Sequence, residues 1–452
     1  MSSVETTKSG ALSTSLPEIP AGAGGRRAWF AAIAVAASLW VWTAWLYCLP
    51  PGYDCWWGVN PLGGAHFRRV LHLPSLVVDS GTFRAGFVAC LAFSWVTYLS
   101  LLSLGLASAG PPIARVRRLA TGTVLAVAAL GPPALSSDVY AYVGYARLAV
   151  VHHLSPYAET QVTLVHLGDP TGPFLRWPIA SPYGPLWTIV SMVVVFVLPK
   201  SSLLAPILVF KGLGAAGVLA IAEAGRRLAR RVSSGREELV FAALALNPLF
   251  VIEGVANAHN DVVMMALVMW AFVFATEERW KRAFLLLGVA SSIKFIPLLL
   301  GPWFLVGALR AAPLETMRRK LVVAARAFAL TTIPILASYA PFWRGVETLE
   351  GLRSRSHHGT HPMNGGFVQG AVVVLTIWGG LTPWVARAPL ARAARGWIVV
   401  SLAVVMLLSG MWFPWYFVWP WAVALVLLER ANLVFTGIVW GAVLLSLWSY
   451  VR

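Results

Sequence analysis

Apolar stretches of up to about twenty residues recur from one end of this chain to the other, and that is the length a helix needs to cross a bilayer. They fall at 28–49, 85–107, 113–131, 183–198, 202–222, 238–252, 261–276, 283–309, 321–341, 367–385, 397–411, 413–428 and 432–450. Of 452 residues, 58 % are apolar and 12 % charged, whereas a soluble domain carries about a quarter charged. A soluble globular enzyme and a disordered chain are both excluded. The sequence predicts an all-α, polytopic integral membrane protein of about 12–13 transmembrane helices, with one external amphipathic helix in the interface.

Residues 1–27 are polar at first and lack the apolar core of a signal peptide, so they are expected to form a disordered cytoplasmic tail. Residues 28–452 are expected to form a single multi-span domain whose polar stretches, 50–84, 132–182 and 342–366, are external loops. Pro297 should break the run 283–309 into two half-helices. Cys48, Cys55 and Cys90 show no metal-ligand spacing.

The chain has 35 Lys and Arg against 18 Asp and Glu, a net charge of +17. In a soluble protein that excess would suggest nucleic acid. Here the basic residues cluster at 115–118, 226–236, 318–320 and 387–395, between apolar runs, which is the positive-inside pattern. With Arg26 and Arg27 inside, residues 253–260, 342–366 and 412–416 fall on the outer face. Two crossings between 183 and 222 would put the 226–236 cluster on the wrong side. One of those two runs is therefore expected to be re-entrant or interfacial.

Acidic groups near membrane depth are costly and merit a functional hypothesis. Asp138 follows the third apolar run in Ser136-Ser137-Asp138, which also reads as a helix N-cap signature. The helix after it, through His153, is amphipathic, with Tyr140, Val143, Leu148 and Val151 placed toward lipid. Pro156-Tyr157 and Tyr183-Gly184-Pro185 turns flank this segment. A second polar run, Glu253 to Asp261, holds Asn257, His259, Asn260 and Asp261. Asp261 could cap the next helix, but the set has more hydrogen-bonding capacity than a cap needs. It suits sugar hydroxyls, or a metal ion.

Lys294 interrupts an apolar run just before Pro297, where it either snorkels or receives a phosphate. The loop 342–366 carries Arg344, Arg353, Arg355, His357, His358 and His361, readable as a solvated basic loop or as a phosphate clamp. Trp415 and Tyr416 suit an interfacial aromatic belt, or stacking on a sugar.

The ordered set Asp138-Val139-Tyr140-Ala141-Tyr142, Ser155-Pro156-Tyr157, Tyr183-Gly184-Pro185-Leu186, His259-Asn260-Asp261, Lys294 with Pro297, and Trp415-Tyr416 resembles the GT-C glycosyltransferases. The likeness is greatest to the actinobacterial polyprenyl-phosphate-mannose-dependent alpha-1,6-mannosyltransferases of lipoglycan synthesis, over roughly residues 110–430. Ser155 stands where that family often has Asn or Asp. The resemblance implies a GT-C fold and an inverting hexosyltransferase of the cell membrane. Its donor would be a polyprenyl-phosphate sugar, its acceptor a glycan or glycolipid, and its active site extracytoplasmic. Asp138 would be the catalytic base. Lys294, Arg353 and Arg355 would hold the donor phosphate, and Tyr140, Tyr183, His259, Asn260, Asp261, Trp415 and Tyr416 would orient sugar or acceptor. No cofactor or metal site is required by this reading, although the carboxylates permit a divalent metal, and no nucleic acid is expected as a partner. The alternatives are a secondary transporter or lipid-linked-sugar flippase, and an O-antigen polymerase or ligase-like enzyme. A transporter should show inverted repeats and mid-span charges, and the sequence displays neither.

Overall fold

The computed structural model describes residues 21–46, 48, 54–55, 58–59, 78–105, 111–133, 136–169, 171–172, 178–199, 202–232, 235–311, 316–346, 348, 365–387, 389–408 and 413–427. Arg353, Arg355, the three loop histidines and the run 432–450 lie outside them. The regular elements among the described residues are helices, apart from β1 (Asp54–Cys55) and β2 (Gly58–Val59), which make a short antiparallel pair. In chain order the helices are α1 (Ala21–Leu46), α2 (Ser80–Gly105), α3 (Pro111–Leu130), α4 (Asp138–Val150), α5 (Val162–His166), α6 (Pro185–Val197), α7 (Leu204–Val232) and α8 (Glu237–Ala245). They continue with α9 (Asp261–Thr276), α10 (Trp280–Ser291), α11 (Gly301–Ala311), α12 (Met317–Tyr339), α13 (Gly365–Arg387), α14 (Pro389–Leu407) and α15 (Val418–Leu427). α1 begins at Ala21, inside the stretch assigned to the tail.

Five described helices are long and apolar enough to cross a membrane, and a bent pair makes a sixth span; six more apolar helices are shorter. This is an all-α polytopic membrane protein. α6, at 13 residues, reaches about 20 Å, short of a crossing, while α7 has 29 residues and exceeds one. α9 is apolar nearly all round and is correspondingly buried, packed by α7, α10 and α15. α12 instead shows Phe328, Ile333 and Leu336 outward.

Breaks in the helices position the polar residues. α8 stops before Asn247-Pro248 because proline has no N–H to continue the ladder; the Asn247 side chain accepts from Leu249 N at 2.9 Å. The chain bends by 55° and resumes as a π-helical segment, Phe250–Ala256, a form that often marks functional sites. A second break follows α10, where a 3₁₀ turn, Ile296–Leu300, surrounds Pro297 as expected. The Tyr183-Gly184 turn docks on that break: Gly184 N donates to Ile293 O (3.1 Å) and Leu186 N to Ser292 O (3.2 Å). A β-carbon at position 184 would lie 2.3 Å from the Ser292 carbonyl oxygen, so glycine is required by close approach.

One expectation is corrected. Tyr140, Val143 and Leu148 do not face lipid; all three are buried. α4 packs on α6 and α7, and the chain after it folds back as a roof. Gln161 donates to Ala141 O (2.8 Å), Tyr145 to Ile179 O (2.8 Å), and Tyr157 to Tyr183 O (2.9 Å). Arg147 grips Asp169 through two guanidinium nitrogens, and His152 adds a 2.7 Å contact. Helical periodicity marks an apolar face without telling lipid from protein as its partner.

Candidate active site

Asp138 opens α4. Its backbone N–H donates to Ser136 Oγ at 3.2 Å, and Ser137, the cap position, makes no side-chain cap bond. The capping reading of Asp138 therefore gives way to another contact: its Oδ2 lies 3.3 Å from Nδ1 of His259. Nε2 of the same ring lies 3.3 Å from Oε2 of Glu253, and Asn257 Nδ2 donates to that oxygen at 3.1 Å. Both His259 contacts are ion-pair distances without hydrogen-bond alignment, the loose geometry common where a site tightens on its substrate.

His259 is held there by the backbone. The π-helical segment ends with Ala258 in the left-handed region (φ 57°), and His259 N donates back to Glu253 O at 2.9 Å. A left-handed residue closing a helix is normally glycine, and a left-handed alanine carries strain of the kind found at functional sites. Behind the turn, Nζ of Lys211 on α7 donates to Ala256 O. Lys211 is fully buried. Close packing brings α7 to this turn, since a β-carbon on Gly214 would collide with the Gly254 carbonyl.

The His259 imidazole stacks on Trp415, with ring centroids 4.0 Å apart and planes at 18°, and Trp415 stacks on Phe413 at 4.3 Å. Burial alone would disfavour a charged imidazole. The carboxylates of Asp138 and Glu253 outweigh it and raise the His259 pKa to about 9. His259 thus lies between two carboxylates, 3.3 Å from each.

Asp261 starts α9 without acting as its cap; the cap position is Asn260, which makes no side-chain cap bond. The Asp261 carboxylate takes Lys294 Nζ at 2.7 Å on each oxygen and Trp419 Nε1 at 2.6 Å. Lys294 also lies over the rings of Tyr416 (4.9 Å) and Trp419 (5.5 Å), and its charge is largely neutralised by Asp261. Between the two ion pairs, Asn260 donates its backbone N–H to Tyr142 Oη (3.2 Å). Its side-chain amide is buried, and among the described residues neither its oxygen nor its nitrogen has a hydrogen-bond partner. Each such orphan group costs about 1–3 kcal/mol.

The structure therefore brings Asp138, His259, Asn260, Asp261, Lys294, Trp415 and Tyr416 together. Tyr183 packs edge-to-face on Tyr142 at 4.8 Å, in the wall beside them, and Tyr140 is buried within α4. Asp138 and Lys294 are where the cluster opens, with side chains 11 % and 18 % exposed against 0 % for His259 and Asp261. Among the described residues no three His, Cys, Asp or Glu side chains are arranged to hold a metal ion. Sequence reasoning assigned no role to Lys211, Trp419 or Glu253. A carboxylate closing an apolar run was the available signal for Glu253.

Three comparisons bear on this cluster. The family described as "Alpha-(1->6)-mannopyranosyltransferase, N-terminal domain" matches residues 57–311, more than half of the chain and a stretch containing Asp138, Glu253, His259, Asp261 and Lys294. Alpha-(1->6)-mannopyranosyltransferase B of Corynebacterium glutamicum is 26 % identical over 215 residues, 46 % of this chain and 34 % of the relative. A probable alpha-(1->6)-mannopyranosyltransferase of Mycolicibacterium smegmatis is 29 % identical over 149 residues, 32 % of this chain and 26 % of the relative. The matches thus span about a third or less of the relatives' own length. No solved structure matches.

Proposed function

The chain belongs to the alpha-(1->6)-mannopyranosyltransferase family, and from that premise we propose that it transfers mannose from a polyprenyl-phosphate donor to a glycan or lipid-linked acceptor at the extracytoplasmic face of the membrane. The observation that carries the proposal is the Asp138 carboxylate, held against a buried imidazole at 3.3 Å at the mouth of the cluster.

The chemistry is a single displacement. An acceptor hydroxyl oxygen bonds to the sugar C1, the C1–O bond to phosphate breaks with its electron pair leaving on the phosphate, and configuration inverts. The hydroxyl proton passes to Asp138, whose position His259 fixes while Glu253 fixes His259. Lys294 spends two of its donors on Asp261 and has a third for a phosphate oxygen, with Arg353 and Arg355 as further candidates. The orphan amide of Asn260 offers a donor and an acceptor to sugar hydroxyls. Trp415 and Tyr416 serve this site by packing His259 and Lys294, and Tyr183 with Tyr140 back its wall.

Charge placement supports the sidedness. α9 runs 16 residues, about 24 Å, from Asp261 to Thr276, whose carbonyl receives Arg231. The 226–236 cluster, like Arg279, Lys281 and Arg282 around the start of α10, thus sits at the end of α9 remote from Asp261, which supports that sidedness.

The test is incubation of the purified full-length protein with polyprenyl-phosphate-linked mannose, glucose and arabinose separately, with and without chelator, followed by product analysis. Transfer of mannose alone is expected. Asp138→Asn should lower it by about 10²–10⁴-fold while the protein still accumulates in the membrane. Transfer at the unmodified rate by that variant would reject Asp138 as the base.

A further inference from the structure

The end of α9 remote from the site carries a second polar feature, whose reading rests on the sidedness proposed above but not on the transfer chemistry. α9 closes on Glu278, whose backbone is left-handed (φ 56°), and Arg279 N donates back to Phe274 O at 2.8 Å. The reversal is tight and α10 starts at once, which gathers Arg279, Lys281 and Arg282 beside α12. There they meet Arg326. The four basic residues line a pocket of about 420 Å³ between α10 and α12, floored by Phe284 and Leu330. Glu278 is the one carboxylate in its lining.

Two of the cations are partly engaged: Arg279 contacts Glu277 at 3.2 Å, and Arg282 lies over the Phe274 ring at 5.6 Å. Lys281 and Arg326 have no acidic partner among the described residues. Arg326 lies nine residues beyond Met317, the start of α12, about 13 Å along the helix axis. Its exposed neighbours are Leu321 (62 %), Val322 (42 %) and Phe328 (71 %). A guanidinium at that depth in a lipid-facing helix is costly unless an anion meets it.

A free inorganic anion needs no apolar floor, and a neutral lipid needs no four cations. Beside the pocket, Leu285 and Phe328 face outward where acyl chains would lie. We propose that this pocket binds the phosphate headgroup of an anionic phospholipid, with the acyl chains laid along α10 and α12. Basic pockets between transmembrane helices at the cytoplasmic end are suited to such headgroups.

The test uses the full chain purified in neutral detergent and titrated with phosphatidylglycerol or phosphatidylcholine, with binding read by native mass spectrometry. The unmodified protein should prefer phosphatidylglycerol by about ten-fold or more. Each basic residue contributes a factor of about five, so Lys281→Gln with Arg326→Gln should weaken phosphatidylglycerol binding by roughly twenty-fold. Arg318→Gln with Lys320→Gln removes the same charge from exposed positions that do not line the pocket and should change little. An equal loss in both double variants, equal affinity for the two lipids, or displacement of phosphatidylglycerol by soluble glycerol 3-phosphate at comparable concentration would each overturn the proposal. Melting of the lipid-free variants checks their fold. If the double variant fails that check, Arg326→Gln alone decides, with an expected loss of about five-fold.

Discussion

Lys294 Nζ stands 2.7 Å from both carboxylate oxygens of Asp261, joining the break after α10 to the first residue of α9. Asp261 has no exposed side-chain surface, whereas Lys294 keeps 18 %, so the pair is asymmetric. Removing the lysine strands a buried anion, with Trp419 as its remaining side-chain donor. Lys294→Met should therefore destabilise by about 3–5 kcal/mol. Adding Asp261→Asn should restore much of that loss, because the stranded charge is gone. Denaturant melts of both single variants and the double would show it, and simple additivity would mean the two side chains are not coupled.

His259 supplies a pH dependence whose sign is fixed by its raised pKa of about 9. Its unfolded value is about 6.5, so the stabilising charge is fully present below that pH and is lost as pH rises through about 9. Melting temperature should hold between about pH 6 and 7 and fall toward pH 9–10. In His259→Gln this alkaline slope should shrink, leaving whatever other groups contribute. A slope unchanged by the substitution would place its origin elsewhere.

Gly184 couples the Tyr183 turn to the Lys294 break through backbone alone. An added β-carbon would meet the carbonyl oxygens of Ser292 at 2.3 Å and Ile293 at 2.5 Å, and backbone cannot swing aside as a side-chain tip can. Gly184→Ala should cost about 1–3 kcal/mol and shift Lys294, lowering transfer as well as stability. Gly212→Ala, inside α7 with open space around it, is the control: it should raise stability by up to about 1 kcal/mol and leave transfer unchanged.

The sequence made the residues of the site legible better than their bonds. Asp138, His259, Asn260, Asp261, Lys294, Trp415 and Tyr416 all interrupt or punctuate apolar runs, and that anomaly is visible without a structure. Pairings were less accessible. Lys294 read as a cation awaiting phosphate because its partner Asp261 is 33 residues away, and Asp138 and Asp261 kept capping as an alternative reading because each does begin a helix. Glu253 sits in a π-helical segment created by Pro248 and a bend of 55°, which no 3.6-residue periodicity describes. α4 read as lipid-facing because its roof is built from residues within 155–169 and 178–183, whose polar turns gave no sign of folding back.

Lys211 separates position from stability most sharply. It is fully buried on α7, seven residues beyond the helix start at Leu204, where its side-chain nitrogen donates to the Ala256 carbonyl, and hydropathy averaging over that long apolar helix hides it. A buried lysine nitrogen bonded to a carbonyl rather than to a carboxylate is an expensive group. Replacing it by the similarly shaped Lys211→Met should leave the melting temperature unchanged or raise it. The same change removes the donor that holds the end of the π-helical segment, one residue before Asn257 and three before His259. Transfer should then fall by about ten-fold or more, as expected when a catalytic pair loses its alignment, with kcat affected more than KM. A Lys211→Met protein that is more stable and fully active would show that the Asp138–His259 contact is held without Lys211.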